Sequence, residues 1–373
     1  MSGGARIASF GAGMESDHWP HGSCDGCGRS LAQLRHRASG FFESLSVAEL
    51  GRETHRHLWV SDWLRVADDY RTFAKFAGED GTIPTAREAW LCALTALEVV
   101  RSVSCPGDVE AADFANEVDI SLKGLADDAG PAIERVTLEG FDEAPLTGFF
   151  VPALCRASSA PAVICVGDED ITLGSMMTRL LPASLRHNIS LLLVDARHSS
   201  ARRPFKPEQM LQCWLDYLQG RADVDPQRIA IYGEGAGAGH ASRLARADRR
   251  LAAAVCDGGL LSPVMCRASL RWMTDVEQAA LDASVPVSMV APRQLPCPLL
   301  MVVGSRSMML EQDALELQSA YRQAGADCSV VVPSRIPHPL GEVENFVAVD
   351  DFIFEWLDSK LGSAPQLEDV TYL

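Results

Sequence analysis

The 373-residue sequence predicts an α/β fold in which a mainly parallel sheet is covered by helices on both faces and preceded by a helical N-terminal region. Three observations carry this reading. Apolar residues recur at helical spacing through the first third of the chain, and from Ile133 onward short apolar runs alternate with helical stretches. One of those runs ends in a glycine-rich bend, Gly233-Glu234-Gly235-Ala236-Gly237, which leads straight into helix-compatible residues. Strands separated by helices imply parallel pairing, because a parallel neighbour needs a crossover long enough to bring the chain back to the same end of the sheet.

Taken in order, segments 29–50, 57–76, 85–103 and 110–126 place apolar residues three and four apart, as in Trp59, Trp63, Val66, Ala67 and Tyr70. Pro84-Thr85 followed by Glu88 has the pattern of a capped helix start. The strand candidates are 135–138, 146–151, 162–166, 190–194, 228–231, 252–255, 298–303 and 328–332. The first two lie close together and predict an antiparallel hairpin at one edge. The chain therefore divides into a lead-in (1–28), a helical cap (29–130), an α/β core (131–361) and an acidic tail (362–373), with no internal repeat.

Composition narrows the function classes. A hydrophobic content of 47% suits an ordinary globular core, and a formal charge of -17 opposes non-specific binding to nucleic acid or to an anionic membrane. No apolar run approaches a membrane span, and the first residues lack the basic-then-apolar pattern of a secretion signal, so a cytoplasmic protein is expected. Most of the 11 cysteines, such as Cys92, Cys165, Cys213 and Cys256, sit in apolar runs and read as buried free thiols. The oligomeric state is open, with a homodimer among the options.

The bend has the steric form of a nucleophile elbow, G-x-S-x-G, in which a serine stands exposed on a sharp strand-to-helix turn. Here position 235 is glycine. Glycine tolerates the strained turn at least as well as serine, so the fold is expected to survive while the covalent acyl-enzyme route is lost. The alternative, a dinucleotide-binding G-x-G-x-x-G, would need its third glycine at Ala238. No organic cofactor is implied. In the elbow reading the oxyanion donors are the N–H of Ala236 and one N–H from the loop at Gly167 and Asp168, where Asp168, Glu169 and Asp170 would oppose a developing negative charge unless turned away. Asp195 and His198, after the 190–194 strand, and Glu234 are candidates for the pocket.

The order "PAVICVGDED", "LLLVDARHSS", "VDPQRIAIYGEGAGAGHASRLA", "CPLLMVVGSRS" and "RIPHPLGEVENF", behind "EAWLCALTALEVVRS", resembles α/β-hydrolase-fold proteins of the 2,6-dihydroxypseudooxynicotine hydrolase type. That family includes carbon–carbon bond hydrolases and relatives in fungal pigment assembly. The resemblance runs from about Trp59 to Leu361 and implies a helical cap over the substrate. It also implies a serine, acid and histidine in that chain order. Carried over by position, the histidine is His338. The acid would fall near Ser307, which carries no charge; Asp257, at a position where some α/β-hydrolases relocate the acid, and Glu311 are the visible substitutes.

A weaker constellation, His18-x-x-His21-x-x-Cys24-x-x-Cys27, has zinc-binding residue types but lacks the long spacer between ligand pairs, so a flexible lead-in is preferred to a metal site. The leading expectation is an atypical hydrolase-fold enzyme with a degenerate triad. It would use His338 for general acid–base work on a small carbonyl substrate, such as carbon–carbon cleavage, cyclisation, dehydration or isomerisation. The resemblance alone supplies the specialised, polyketide-like substrate class. The alternatives are a pseudoenzyme that binds without turnover, and a serine hydrolase disabled by glycine at position 235.

Overall fold

The computed structural model describes residues 30–105, 107–109, 111–129, 133–139, 145–154, 159–167, 173–194, 207–259, 295–305, 307, 309–338 and 341–362. Its N-terminal region is helical: α1 (Leu31–Ser44), α2 (Val47–Leu50), α3 (Glu53–Glu79), α4 (Ile83–Val103) and α5 (Ala111–Gly124). Local chemistry sets several of these starts. Ser30 caps α1 by accepting from the Gln33 N–H, and Ser46 with Glu49 forms a reciprocal capping box on α2. α4 is buried without a break from Ala89 to Val100, so it runs through the interior of the helical layer.

The sheet has eight strands in the order β1-β2-β4-β3-β5-β6-β7-β8. These are β1 (Glu134–Leu138), β2 (Leu146–Val151), β3 (Ala160–Val166), β4 (Ser190–Val194), β5 (Val224–Glu234), β6 (Ala253–Asp257), β7 (Leu299–Val302) and β8 (Cys328–Val331). β1 and β2 form the expected antiparallel hairpin, β2 pairs antiparallel with β4, and every pairing from β4 to β8 is parallel. Between strands run α6 (Leu173–Arg186), α7 (Pro207–Gln219), α8 (Ala236–Ala247) and α9 (Glu311–Gln323), and α10 (Phe346–Leu361) closes the described chain.

Strand alternation divides the core in two. Val163, Cys165, Leu191, Leu193, Ala230 and Tyr232 face the layer built from α1, α3, α4, α6 and α10. Their sequence neighbours Ile164, Val166, Leu192, Ile229 and Ile231 face α7, α8 and α9. Each central strand is buried on both faces, which is why these runs read as continuous apolar stretches and not as alternating ones.

Several boundaries shift by a few residues from the sequence reading, and two differences bear on the site. β5 begins at Val224 and ends at Glu234, not at residues 228 and 231, because its ladder with β3 and β6 continues into the bend. The segment around His338, which lies beyond the last strand candidate at 328–332, is a second two-stranded sheet, β9 (Arg335–His338) with β10 (Gly341–Glu344), in which His338 pairs with Gly341. Pro337 lies within β9, a position that suits a short strand paired on one side only.

Candidate active site

β5 turns into α8 at Gly235, whose backbone has φ 57° and ψ -121°. An L-residue is strained there, so this is the sharp turn that the sequence pattern requires. The flanking glycines are needed for close approach. A Cβ on Gly233 would lie 2.2 Å from the Gly237 carbonyl oxygen, and one on Gly237 would lie 2.3 Å from the Val166 carbonyl oxygen. The Gly235 N–H donates to the Asp257 carbonyl at 2.7 Å, tying the bend to the end of β6. Ala236, as the first residue of α8, has an N–H with no acceptor in its own helix, and the positive end of the helix dipole lies at this point.

Behind the bend lies a buried charged cluster that the sequence reading missed. Arg179 of α6 donates to Glu234 Oε1 at 2.8 Å, to the Tyr232 hydroxyl, and to Asp257 Oδ2 at 3.5 Å. The Tyr232 hydroxyl in turn donates to Asp257 Oδ2 at 2.7 Å. Asp350 of α10 faces Arg179 Nε at 3.3 Å, but among the described residues neither carboxylate oxygen has a hydrogen-bond partner. All of these side chains are buried. One guanidinium therefore meets three carboxylates. Burial pulls the Arg179 pKa down, yet Asp350, Glu234, Tyr232 and Asp257 together push it well above the usual value. Asp350 behaves oppositely: desolvation raises its carboxyl to about 7, against the pull of Arg179 and Arg35. The two directions conflict over Asp350, which as an anion gives Arg179 its largest upward push; its burial, with no hydrogen bond to either oxygen among the described residues, favours the neutral carboxyl.

Arg179 and Asp350 form one wall of a cavity of about 250 Å³, which His338, Ser104, Ser305 and Glu344 also line. His338 is half-buried. Desolvation lowers its pKa, a hydrogen bond with the Val103 backbone opposes that, Arg56 lowers it further and Asp108 raises it, and the net direction is down. Its Nε2 lies 3.6 Å from Sγ of Cys105, in the turn after α4. The cavity thus joins the histidine to the network behind the elbow, and its walls come from the N-terminal helices, the β9–β10 hairpin, α6 and α10.

The sequence candidates fare differently. Gly235, Ala236 and Gly167 occupy the turn and the adjoining end of β3. Glu234, expected at the pocket, is buried in the ion pair with Arg179. Asp257, expected to serve the histidine, spends its described hydrogen bonds on Tyr232 and Arg179, and none of them joins it to His338. Ser307 closes a local turn with Met309, accepting from its N–H and donating to its carbonyl, both at 3.1 Å. Glu311 is an exposed first-turn residue of α9. Asp168, Asp195, His198 and the His18, His21, Cys24 and Cys27 group lie outside the described residues. Besides Arg179 and Asp350, the sequence reading missed Cys105 and Glu344, whose carboxylate accepts the Ser305 N–H just beyond β7, where the acid was expected. A pairing signal for Glu344 was visible only as its closeness to His338 in the chain.

The strand order, the parallel pairing and the strand-to-helix elbow define the α/β-hydrolase fold. The chain superimposes on 2,6-dihydroxy-pseudo-oxynicotine hydrolase with a TM-score of 0.50 at 16% identity, covering 82% of this chain and 89% of that one. In sequence it is 33% identical over 119 residues to the uncharacterized protein Rv2307c of Mycobacterium tuberculosis strain H37Rv, and equally to its counterpart MT2364 in strain CDC 1551 / Oshkosh. That match covers 31% of this chain and 42% of each relative, less than half of their length. No protein-family model matches the chain. Among the described residues, no helix is long and apolar enough to cross a membrane, and no cluster of three His, Cys, Asp or Glu side chains is placed to hold a metal.

Proposed function

We propose that this chain is an enzyme of the α/β-hydrolase fold that uses His338 for acid–base chemistry on a small carbonyl-bearing metabolite, without a covalent serine intermediate. One observation carries the reading: His338 shares a single cavity with Arg179 and Asp350, and Arg179 is bonded to Glu234, the residue next to the glycine at position 235 of the elbow. An imidazole whose pKa is lowered by burial is neutral near pH 7 and able to accept a proton from the carbon beside a carbonyl. Asp350, with its carboxyl raised to about 7, supplies a partly protonated group at the opposite wall. The Ala236 N–H at the start of α8 is the donor best suited to a developing oxyanion. Removal of the proton beside the carbonyl starts isomerisation, dehydration and aldol-type cyclisation, and in carbon–carbon cleavage the same base would instead take the proton of a hydroxyl group or of the attacking water. A cavity of about 250 Å³ lies just below the usual range for drug-sized ligands, which favours a small substrate.

The test is turnover of a panel of diketones and polyketide-like carbonyl compounds by wild type and His338→Ala. Loss of roughly 10²–10⁴ in kcat is expected from removal of a general base; equal turnover would remove the role. A second reading, ligand binding without turnover, is favoured by the engagement of Asp257 with Tyr232 and Arg179, which takes that carboxylate away from a triad. It predicts saturable binding in calorimetry that His338→Gln leaves unchanged and no product at any enzyme concentration.

A further inference from the structure

We propose that Cys105 is a nucleophile activated by His338, so that the thiol supplied by the turn after α4 does the covalent work for which the elbow has no side chain. This inference rests on the placement of His338 in the cavity argued above, and adds a second residue and a covalent step to it. Sγ of Cys105 lies 3.6 Å from Nε2 of His338, within reach of a weak S–H···N hydrogen bond. Cys105 is half-buried and outside any disulfide, and its chain neighbour Ser104 lines the same cavity as His338. By contrast Cys92, Cys165, Cys256, Cys297 and Cys328 are buried in the core, where desolvation raises their thiol pKa values and leaves them inert.

The turn is held in place around the thiol. The Cys105 N–H donates to Asp108 Oδ2 at 2.7 Å, and the Asp108 N–H donates back to the Cys105 carbonyl at 3.0 Å. Asp108 is itself fixed by Arg56 Nε at 3.5 Å. Both backbone groups of Cys105 are thus pinned by one residue, which limits the orientations its side chain can take. Nucleophile and adjacent base are the two parts that begin covalent acyl transfer, and Asp108 acts on the nucleophile's backbone and not on the imidazole. Here they come from the helical region and the β9–β10 hairpin, whereas an elbow-based site draws its nucleophile from the sheet. The second, independent observation is Asp350: its side chain is almost completely buried, lines the cavity, and, although it faces Arg179 Nε at 3.3 Å, has no hydrogen-bond partner on either oxygen among the described residues. It is a ready acceptor for a donor group on a substrate.

The chemistry balances without any further reagent. With Nε2 unprotonated, His338 takes the thiol proton as Sγ forms a bond to the carbonyl carbon of an ester or thioester. The tetrahedral oxyanion collapses, the carbon–heteroatom bond breaks, and the leaving group takes the proton from the imidazolium, giving an acyl-Cys105 thioester. Water then attacks that carbon while His338 removes its proton. The carboxylic acid departs, and the thiolate recovers the proton from His338. The substrate class is a small acyl ester or thioester whose far end offers a hydrogen-bond donor to Asp350.

The experiment uses p-nitrophenyl acetate as acyl donor and follows acetylation of Cys105 by acid quench and peptide mass mapping, in wild type, His338→Gln and His338→Asn. The expected result is an acetylated Cys105 peptide in wild type, forming at least tenfold faster than in either histidine variant, with matched thermal melts showing that all three are folded. No adduct on Cys105, or equal rates in the three proteins, overturns the proposal. Steady-state turnover of any substrate found for the wild type separates this inference from the broader reading. If Cys105→Ala and His338→Gln both lose turnover, the dyad stands. If Cys105→Ala keeps it and only His338→Gln loses it, the thiol is discarded and acid–base chemistry by His338 remains. If both keep it, both readings fall.

Discussion

Replacing Asp350 by asparagine should flatten the pH dependence of stability, and the size of the effect follows from where Asp350 sits. Its carboxyl is raised from an ordinary 3.8 to about 7, first by desolvation and then by Asp257 and Glu234, with Arg179 and Arg35 pulling the other way. The folded protein therefore holds a proton that the unfolded chain has already released between those two values. Stability contributed by this group is fully present below about 3.8, declines as pH rises, and levels off above about 7. At about 1.36 kcal/mol per unit, the loss between about pH 5 and pH 8 is roughly 2–3 kcal/mol. Asparagine keeps the shape and removes the titration. The difference between the urea-unfolding free energies of wild type and Asp350→Asn should thus move by about that amount in favour of the variant from pH 5 to pH 8. Parallel curves, or a shift favouring wild type at pH 8, would refute the argument that burial outweighs the Arg179 pairing.

Three other substitutions address the frame of the site. Tyr232→Phe removes the hydroxyl that donates to Asp257 at 2.7 Å inside the buried cluster, and a loss of about 1–3 kcal/mol in denaturant unfolding is expected for a carboxylate left short of a donor. Gly237→Ala drives a Cβ to within 2.3 Å of the Val166 carbonyl oxygen, a main-chain atom with no room to retreat, so a drop of at least 1–3 kcal/mol is expected, and an unchanged melting temperature would mean that the elbow packing is misread. Gly235→Ser should fold with a near wild-type melt, since elbow serines occupy this strained conformation. Its hydrolysis of p-nitrophenyl butyrate should stay about 10⁴ below a complete triad, because Asp257, the acid expected from the sequence, is engaged by Tyr232 and Arg179; brisk hydrolysis would instead identify a serine hydrolase disabled at one residue.

Much of the frame was legible in the sequence because it depends on local signals. Parallel strands buried on both faces produce unbroken apolar runs such as 160–166 and 190–194, and the elbow demands small residues at fixed spacing, which Gly233, Gly235 and Gly237 satisfy. The partners of the site were not legible. Arg179 is the mid-helix one of two arginines in α6, flanked by Met176, Met177, Leu180 and Leu181, and Asp350 lies one residue before the half-exposed Asp351. Nothing in spacing shows that both turn inward onto Glu234 and Asp257. Cys105 and His338 are far apart in sequence, and only the folding of the β9–β10 hairpin against the end of α4 brings them together. Asp257 illustrates the opposite error: its position at the end of β6 suggested a catalytic acid, but a buried carboxylate must be paired, and Tyr232 and Arg179 were the groups within reach.

The most direct test of a working imidazole in this cavity is the pH profile of kcat/KM for a turned-over carbonyl substrate. A base must be neutral to act, so activity should climb with pH along a limb set by His338, centred below the ordinary imidazole range because burial disfavours the charged ring. That limb should vanish in His338→Gln together with most of the rate. An acid limb that is centred above the imidazole range, or that persists in the variant at full rate, would contradict the account.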